Sequence, residues 1–217
     1  MPTILAATIV TDVAKDLQDT GNAFWSKSEL LGWLNAGQRE TVILKPNANT
    51  KIAAVQLTPA SAQQSIPADG YAFMRLIRNR GAAGTSNGKF IREIDGDALD
   101  RFDLTWRSTT NAGAEVDGYF YKPDAPRVFY VQPIAPASAL YVEMEYSAAP
   151  TDATINGVDG GGSDSVIGID DAYARALHEY VMYRAYAKDA EHAVHQALAT
   201  DHYKSFLGLI QAKAQGE

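Results

Sequence analysis

Residues 170–213 read DDAYARALHEYVMYRAYAKDAEHAVHQALATDHYKSFLGLIQAK, the longest part of the chain that keeps a helical period without a proline. Asp170 and Asp171 can cap the first turn, and Asp189 can cap a second helix further on. Apolar positions recur at spacings of three and four, as in an amphipathic helix. They form two sets with different offsets: Tyr173, Leu177, Val181, Tyr183 and Ala187, then Ala190, Val194, Ala197, Leu198, Tyr203, Phe206, Leu207 and Ile210. The pattern predicts a hairpin of two helices, with one long bent helix as the alternative.

Two more helices are predicted near the other end of the chain. Residues 8–19 form a short amphipathic pattern, and Ser26 followed by Glu29 has the spacing of a capping box for a helix over residues 27–44. Neither pair of helices can cover its own apolar face, so we expect all of them to pack into one bundle. The candidate packing residues are Trp33, Leu34, Tyr183, Tyr186, Tyr203 and Phe206.

Between residues 50 and 150 the pattern changes to short strands and turns. Residues 118–122, 127–132 and 140–147 predict three consecutive strands in the form of a β-meander. Residues 97–105 predict a short surface helix with Leu99 and Phe102 on its apolar side. Residues 151–164 are rich in Gly, Asp, Ser and Thr, a composition typical of a flexible linker.

The elements together predict an α+β fold. Its helical bundle comprises residues 1–49 and 165–217, and a mainly antiparallel β module of residues 50–150 is inserted between the two parts of the bundle. Residues 151–164 connect the module to the last helices as a flexible linker.

Composition excludes several classes of function. The chain has no cysteine, which excludes disulfides, thiolate metal sites and a cysteine nucleophile. No apolar run approaches the roughly 20 residues of a membrane helix, and the first residues lack the pattern of a secretory signal. The net charge of −7 argues against tight binding to phosphates. It is compatible with passive contact with double-stranded DNA inside a channel, because a basic wall would hold each phosphate. We therefore expect a protein that acts in the cytoplasm or in a particle assembled there and that does not contact a membrane.

Two groups of residues offer metal or acid-base chemistry. His178, His192, His195 and His202 would lie on one side of an unbroken helix, and Asp95, Asp97, Asp100 and Asp103 are close in sequence. Among the histidines only His192 and His195, with Asp189 or Glu191 nearby, are close enough to bind one metal ion, and the aspartates lack the order and the closing glutamate of a calcium loop. The sequence contains no phosphate loop, dinucleotide loop, serine elbow or zinc-protease helix. We expect no catalytic, metal or cofactor site. A metal-dependent hydrolase that uses one of the two groups remains the alternative from another class.

The most basic part of this acidic chain starts with Arg75, Arg78 and Arg80. These arginines are candidates for an interface with an acidic protein neighbour or with DNA phosphate. The alternative is a polar strand face without a partner.

Four stretches carry a resemblance to a known family. They are YRAYAKDAE at 183–191, HYKSF at 202–206, WSKSELLGWLNAGQRE at 25–40 and YVEMEYSAAP at 141–150. Together they resemble head-to-tail adaptor proteins of tailed bacteriophages, notably the tail tubular protein A type of short-tailed phages. The resemblance covers the ends of the chain well and the middle poorly.

The resemblance implies a structural virion protein without enzymatic activity. Such adaptors form a dodecameric ring in the neck, between the portal protein of the capsid and the tail nozzle protein, and genomic DNA passes through the ring. Another phage neck or head-completion protein is the alternative within the structural class.

Overall fold

The computed structural model describes residues 2–189 and 193–214, which form five helices and seven strands. The helices are α1 (Ala6–Asp16), α2 (Lys27–Leu44), α3 (Gly96–Phe102), α4 (Ala174–Lys188) and α5 (Ala193–Ala214). The strands are β1 (Thr50–Gln56), β2 (Gln63–Ser65), β3 (Gly70–Gly81), β4 (Arg92–Glu93), β5 (Gly118–Tyr121), β6 (Val128–Gln132) and β7 (Tyr141–Ala148). The predicted α+β fold is confirmed. The chain divides into two compact units: a helical unit, Met1–Asn49 with Pro150–Glu217, and a β unit, Thr50–Ala149.

Local sequence signals account for the ends of the helices. The predicted capping box at the start of α2 is present, because the Ser26 hydroxyl accepts a hydrogen bond from the Glu29 N–H while the Glu29 carboxylate accepts one from the Ser26 N–H. The predicted hairpin of α4 and α5 is confirmed, since the two helices pack on each other. Residues 190–192, which lie between them, fall outside the described part of the chain.

Helix α4 is the centre of the helical unit, because α1, α2 and α5 all pack against it. Gly37 allows α2 to approach closely, since a Cβ atom there would lie 2.8 Å from Cδ1 of Tyr180. The fully buried side chains of Leu34 and Leu177 belong to α2 and α4. The bundle therefore joins helices that are separated by more than 100 positions in the sequence.

The segment predicted as a flexible linker is fixed to the helical unit. The Asn35 side chain donates to the carbonyl of Ala153 (3.1 Å) and accepts from its N–H (2.8 Å), and Ala153 and Ile155 are buried. Further on, the side-chain carbonyl of Gln38 accepts a hydrogen bond from the N–H of Gly168. These hydrogen bonds join side chains of α2 to the backbone of Ala153 and Gly168. The amino-acid composition of the segment alone does not reveal such bonds.

The strands of the β unit form a three-stranded sheet of order β1-β7-β3 and a four-stranded sheet of order β2-β6-β5-β4. Neighbouring strands are antiparallel except for β4 and β5. The predicted β-meander is wrong, because β7 does not pair with β6. Strand β6 is already flanked by β5 and β2, whereas β7 pairs over its length with the long strands β1 and β3.

Side chains from both sheets form the main core of the β unit, in which the Phe73 ring stacks on Phe129 with centroids 4.5 Å apart. Because neighbouring residues of a strand point to opposite sides, Phe120 and Tyr130 leave this core. They join Trp106 and Leu99 in a second cluster on the other side of the four-stranded sheet. The segment that contains α3 therefore covers the outer side of this sheet.

Candidate interaction surfaces

The arginines singled out in the sequence lie on β3 and form ion pairs with glutamates of β7. Arg75 Nε lies 2.5 Å from Glu145 Oε2, and Arg78 Nε lies 2.9 Å from Glu143 Oε2. The two strands place these residues in register, with Arg75 opposite Glu145 and Arg78 opposite Glu143. Their side chains occupy the outer side of the three-stranded sheet, since Met144, between the glutamates, points into the core.

The same outer side continues onto the edge strand β1 with apolar residues. Ile52 lies opposite Glu145 and Ala54 opposite Glu143. Ile52 is 57% exposed although it is a large apolar side chain. We call the surface formed by Ile52, Ala54, Arg75 and Arg78 the arginine face. The side chains of Arg75 and Arg78 are 60% and 42% exposed, so part of each arginine remains accessible to a neighbour while the glutamates lie mostly below the surface.

Arg80 differs from the other two arginines because it holds a loop of its own chain. Its Nε donates to the carbonyl of Gly84 (3.2 Å) and its Nη1 to Oδ1 of Asn87 (2.9 Å). Gly84 has a φ of +75°, and a Cβ atom there would lie 3.2 Å from Cδ1 of Tyr141. The loop thus folds onto the sheet beside Tyr141, and the side chain of Arg80 fixes it there.

A second exposed surface surrounds the end of α3. Phe102 is 84% exposed and Leu104 is 88% exposed, although helical spacing predicts Phe102 on the apolar side of this helix. Leu99 makes the contact with the second core cluster instead. Asp103 lies between the two apolar residues, and Asp97 lies in the first turn of α3; we call the surface that carries Asp97, Phe102, Asp103 and Leu104 the aspartate face. The sequence signal for this surface is Phe102-Asp103-Leu104, in which an apolar residue stands on each side of Asp103.

The aspartates of this region also accept hydrogen bonds within their own chain, and Oδ1 of Asp103 accepts those of the Thr105 N–H (3.0 Å) and hydroxyl (2.8 Å). The Asp95 carboxylate caps α3 by accepting the N–H groups of Asp97 (2.9 Å) and Ala98 (3.1 Å). Asp100 accepts a hydrogen bond from Nε1 of the buried Trp106 (2.8 Å) and pairs with Arg107. Asp95 therefore caps α3, and Asp100 fixes the position of the Trp106 side chain.

In the helical unit, the predicted packing residues have different environments. Leu34 and Phe206 are fully buried, whereas Trp33, Tyr183, Tyr186 and Tyr203 are half-buried. Tyr183 lies against Tyr203 with ring centroids 4.9 Å apart, and Tyr186 stacks on His202 at 5.5 Å. The half-buried aromatic residues leave ring area at the surface of the unit, which is available to a partner.

Tyr203 gives the helical unit a measurable response to alkaline pH. Its hydroxyl donates to the Glu40 carboxylate (2.8 Å), and this hydrogen bond together with burial raises the pKa of Tyr203 from 10.0 to about 12. The unfolded chain then loses this proton at lower pH than the folded chain. The stabilisation is complete below pH 10 and is lost as the pH rises toward 12.

We expect the free energy of unfolding of the wild type to fall by about 1–3 kcal/mol more than that of Tyr203→Phe over this interval. Urea unfolding across the alkaline range measures the difference. Glu40→Gln, which keeps the shape of the side chain and removes the charge, should reduce the same response. Equal losses in all three proteins would contradict the role of the hydrogen bond.

The three described histidines, His178, His195 and His202, pair with carboxylates. His202 Nδ1 lies 2.6 Å from one oxygen of the buried Glu179, and Arg175 lies 2.5 Å from the other. His178 is buried beside Asp16, with Nε2 3.1 Å from Oδ2, while His195 Nδ1 lies 2.8 Å from an oxygen of Asp189. Burial lowers the pKa of His178, and the charge of Arg175 acts in the same direction. The His178–Asp16 pair joins α4 to α1, and the His202–Glu179 pair joins α5 to α4, where Glu179 also pairs with Arg175.

Within residues 2–189 and 193–214, no three histidine, aspartate or glutamate side chains form a group that could hold a metal ion. His192, one of the four candidate ligands, lies outside the described residues. None of the helices in the described ranges combines the length and apolar character needed to cross a membrane.

Comparisons with known proteins identify a family. A search of curated proteins gives no match for this sequence. The model of the family described as SU10 adaptor protein matches residues 4–217, which covers both units and nearly the whole chain. The fold and the match together show that the chain belongs to the SU10 adaptor protein family, whose members are structural adaptor proteins of bacteriophages.

Proposed function

We propose that the protein is a head-to-tail adaptor of the tail tubular protein A type. In this role it forms a dodecameric ring between the portal protein and the tail nozzle protein, and genomic DNA passes through the ring. The observation that carries the proposal is the family match over residues 4–217. An adaptor family implies contacts with portal and tail components and a position in the neck of the virion.

The charge and surfaces of the chain support this role. A net charge of −7 disfavours strong retention of DNA phosphates, as a channel for moving DNA requires. The described exposed surfaces are mixed, because apolar residues such as Ile52, Phe102 and Leu104 lie near charged ones. Such surfaces give weak contacts between two copies that gain strength by repetition around a ring. We therefore expect a subunit that is monomeric or weakly associated alone and that closes into a ring on a portal template.

The test is a phage in which synthesis of this protein is blocked by a stop codon. We expect DNA-containing or leaking heads without tails, because the surface that receives the nozzle is never formed. Expression of the wild-type chain in the host should restore tailed particles, and expression of an unrelated virion protein should not.

Electron microscopy of particles carrying a labelled copy should place the label at the neck, and the mass of a ring assembled on purified portal should give the number of subunits. Normal tailed particles without the protein would contradict the adaptor function. Label confined to the tail tip or the capsid faces would contradict it as well. A ring of another size would contradict the dodecamer alone.

A further inference from the structure

We propose that neighbouring copies in the ring contact each other through the β unit, with the aspartate face of one copy on the arginine face of the next. The inference rests on the proposed ring and names its subunit contact. Its basis is that the β unit has, on opposite sides, two surfaces with complementary charges and with exposed apolar residues.

The two faces lie on opposite sides of the β unit because of the alternation of its strands. Tyr119 and Phe129 point into the core between the sheets, so their neighbours Phe120 and Tyr130 point away from it. The α3 segment packs on this far side through Leu99 and carries the aspartate face. The arginine face is the outer side of the other sheet. The two sheets and the core between them separate the faces.

This placement determines the kind of assembly. A contact between two different surfaces is head-to-tail, so each bound copy leaves one free surface for the next copy. Such contacts generate closed rings or open filaments, whereas a surface that binds to itself stops at a dimer. Surfaces on opposite sides of a unit leave room for a neighbour on each side.

The charges of the two faces are complementary. Residues 95–104 contain four aspartates and the single arginine Arg101, and among the described residues Asp97 and Asp103 have no cationic partner. On the other face, Arg75, Arg78 and Arg80 share two glutamates, Glu143 and Glu145. A neighbour's carboxylates would supply the missing negative charge to these arginines.

The apolar residues are complementary as well. Phe102 and Leu104 project from the aspartate face, and Ile52 and Ala54 offer an apolar strip beside the arginines. Exposed apolar side chains rimmed by charges are characteristic of a surface that another protein covers. Phe102 and Leu104 are the apolar anchors of the contact, and the aspartates fix their position through the arginines.

A charge exchange in the full-length protein tests the contact. One variant carries Arg75→Glu and Arg78→Glu, and the other carries Asp97→Lys and Asp103→Lys. Because a reversed charge faces a like charge in each pure sample, we expect association at least about tenfold weaker than in the wild type. In an equimolar mixture every contact of an alternating arrangement joins opposite charges, so association should recover to within about threefold of the wild type. Circular dichroism melting curves check that each variant is folded.

Sedimentation velocity at protein concentrations up to about 1 mM measures the association, since a ring template brings subunits to a similar effective concentration. Failure of the mixture to recover would overturn the proposal. Absence of association in the wild type at this concentration would also overturn it.

The absence of cysteine allows a direct second test by cross-linking. Ile52→Cys and Leu104→Cys are made separately and treated with a short bis-maleimide. We expect a dimer in the mixture of the two variants and no dimer in either alone, while a chain carrying both changes should give a series of multimers. Ala125→Cys, in the exposed turn between β5 and β6, is the matched control and should not cross-link to either variant. A Leu104→Cys dimer without its partner would show a contact between like surfaces and reject the head-to-tail arrangement.

The outcomes separate this inference from the proposed function. Label at the neck with a failed charge exchange would reject only the subunit contact. A successful exchange with label elsewhere in the particle would reject only the adaptor role.

Discussion

Replacing Leu34 by Ala should lower the free energy of unfolding of the helical unit by about 2–5 kcal/mol. The Leu34 side chain is fully buried on α2, the helix that packs against α4. Its truncation removes apolar burial and leaves a cavity that the surrounding helices fill only partly. Urea unfolding followed by far-ultraviolet circular dichroism at 222 nm measures the change, since this signal follows the helices.

Ile43→Ala on the same helix is the matched control. Ile43 is 66% exposed, so its truncation should change stability by less than about 0.5 kcal/mol. A small effect of Leu34→Ala, or equal effects of the two changes, would contradict the packing of α2 in the bundle.

Replacing Phe129 by Ala should destabilise the β unit by about 3–5 kcal/mol. Phe129 is fully buried and stacks on Phe73 at the centre of the core between the two sheets. The change removes an aromatic ring and its stacking contact from the place where both sheets meet. Chemical denaturation measures the loss of stability. Hydrogen exchange of the β3 and β6 amides then shows whether the loss is in this unit.

Phe102→Ala is the control for this prediction because it removes the same side chain from an exposed position. It should leave the unfolding transition almost unchanged, since Phe102 buries little area within its own chain. It should weaken association between copies if the aspartate face is a subunit contact. Destabilisation equal to that of Phe129→Ala would show that Phe102 is buried in the folded subunit.

The sequence predicts the helical part of the fold well, because its signals are local. Ser26 and Glu29 form the capping box that their spacing predicts, and the change of offset near Asp189 marks the division into α4 and α5. Strand pairing is not local, and the sequence misplaces β7 for this reason. A meander is the simplest arrangement of three successive strands, but β7 pairs with β1, about 90 positions earlier.

The candidate surfaces are predictable only in part. The run of arginines in β3 identifies one surface, whereas their partners Glu143 and Glu145 lie more than 60 positions away. The exposure of Phe102 depends on which side of α3 faces the four-stranded sheet, and helical spacing alone does not determine this. The bonds of Asn35 to the Ala153 backbone are equally hidden, because a backbone partner has no signal in the composition.

The helical unit is formed by both ends of the chain, and this determines the order in which the protein can fold during its synthesis. Helices α1 and α2 are complete at residue 44, but α4, on which both pack, begins at residue 174. At about 5–20 residues per second, a ribosome needs roughly 6–26 s to make the intervening chain. All strands of the β unit are synthesised within this interval, so the β unit can fold before the helical unit. Until α4 emerges, α1 and α2 lack the helix on which both pack, so they expose apolar surface to which chaperones can bind.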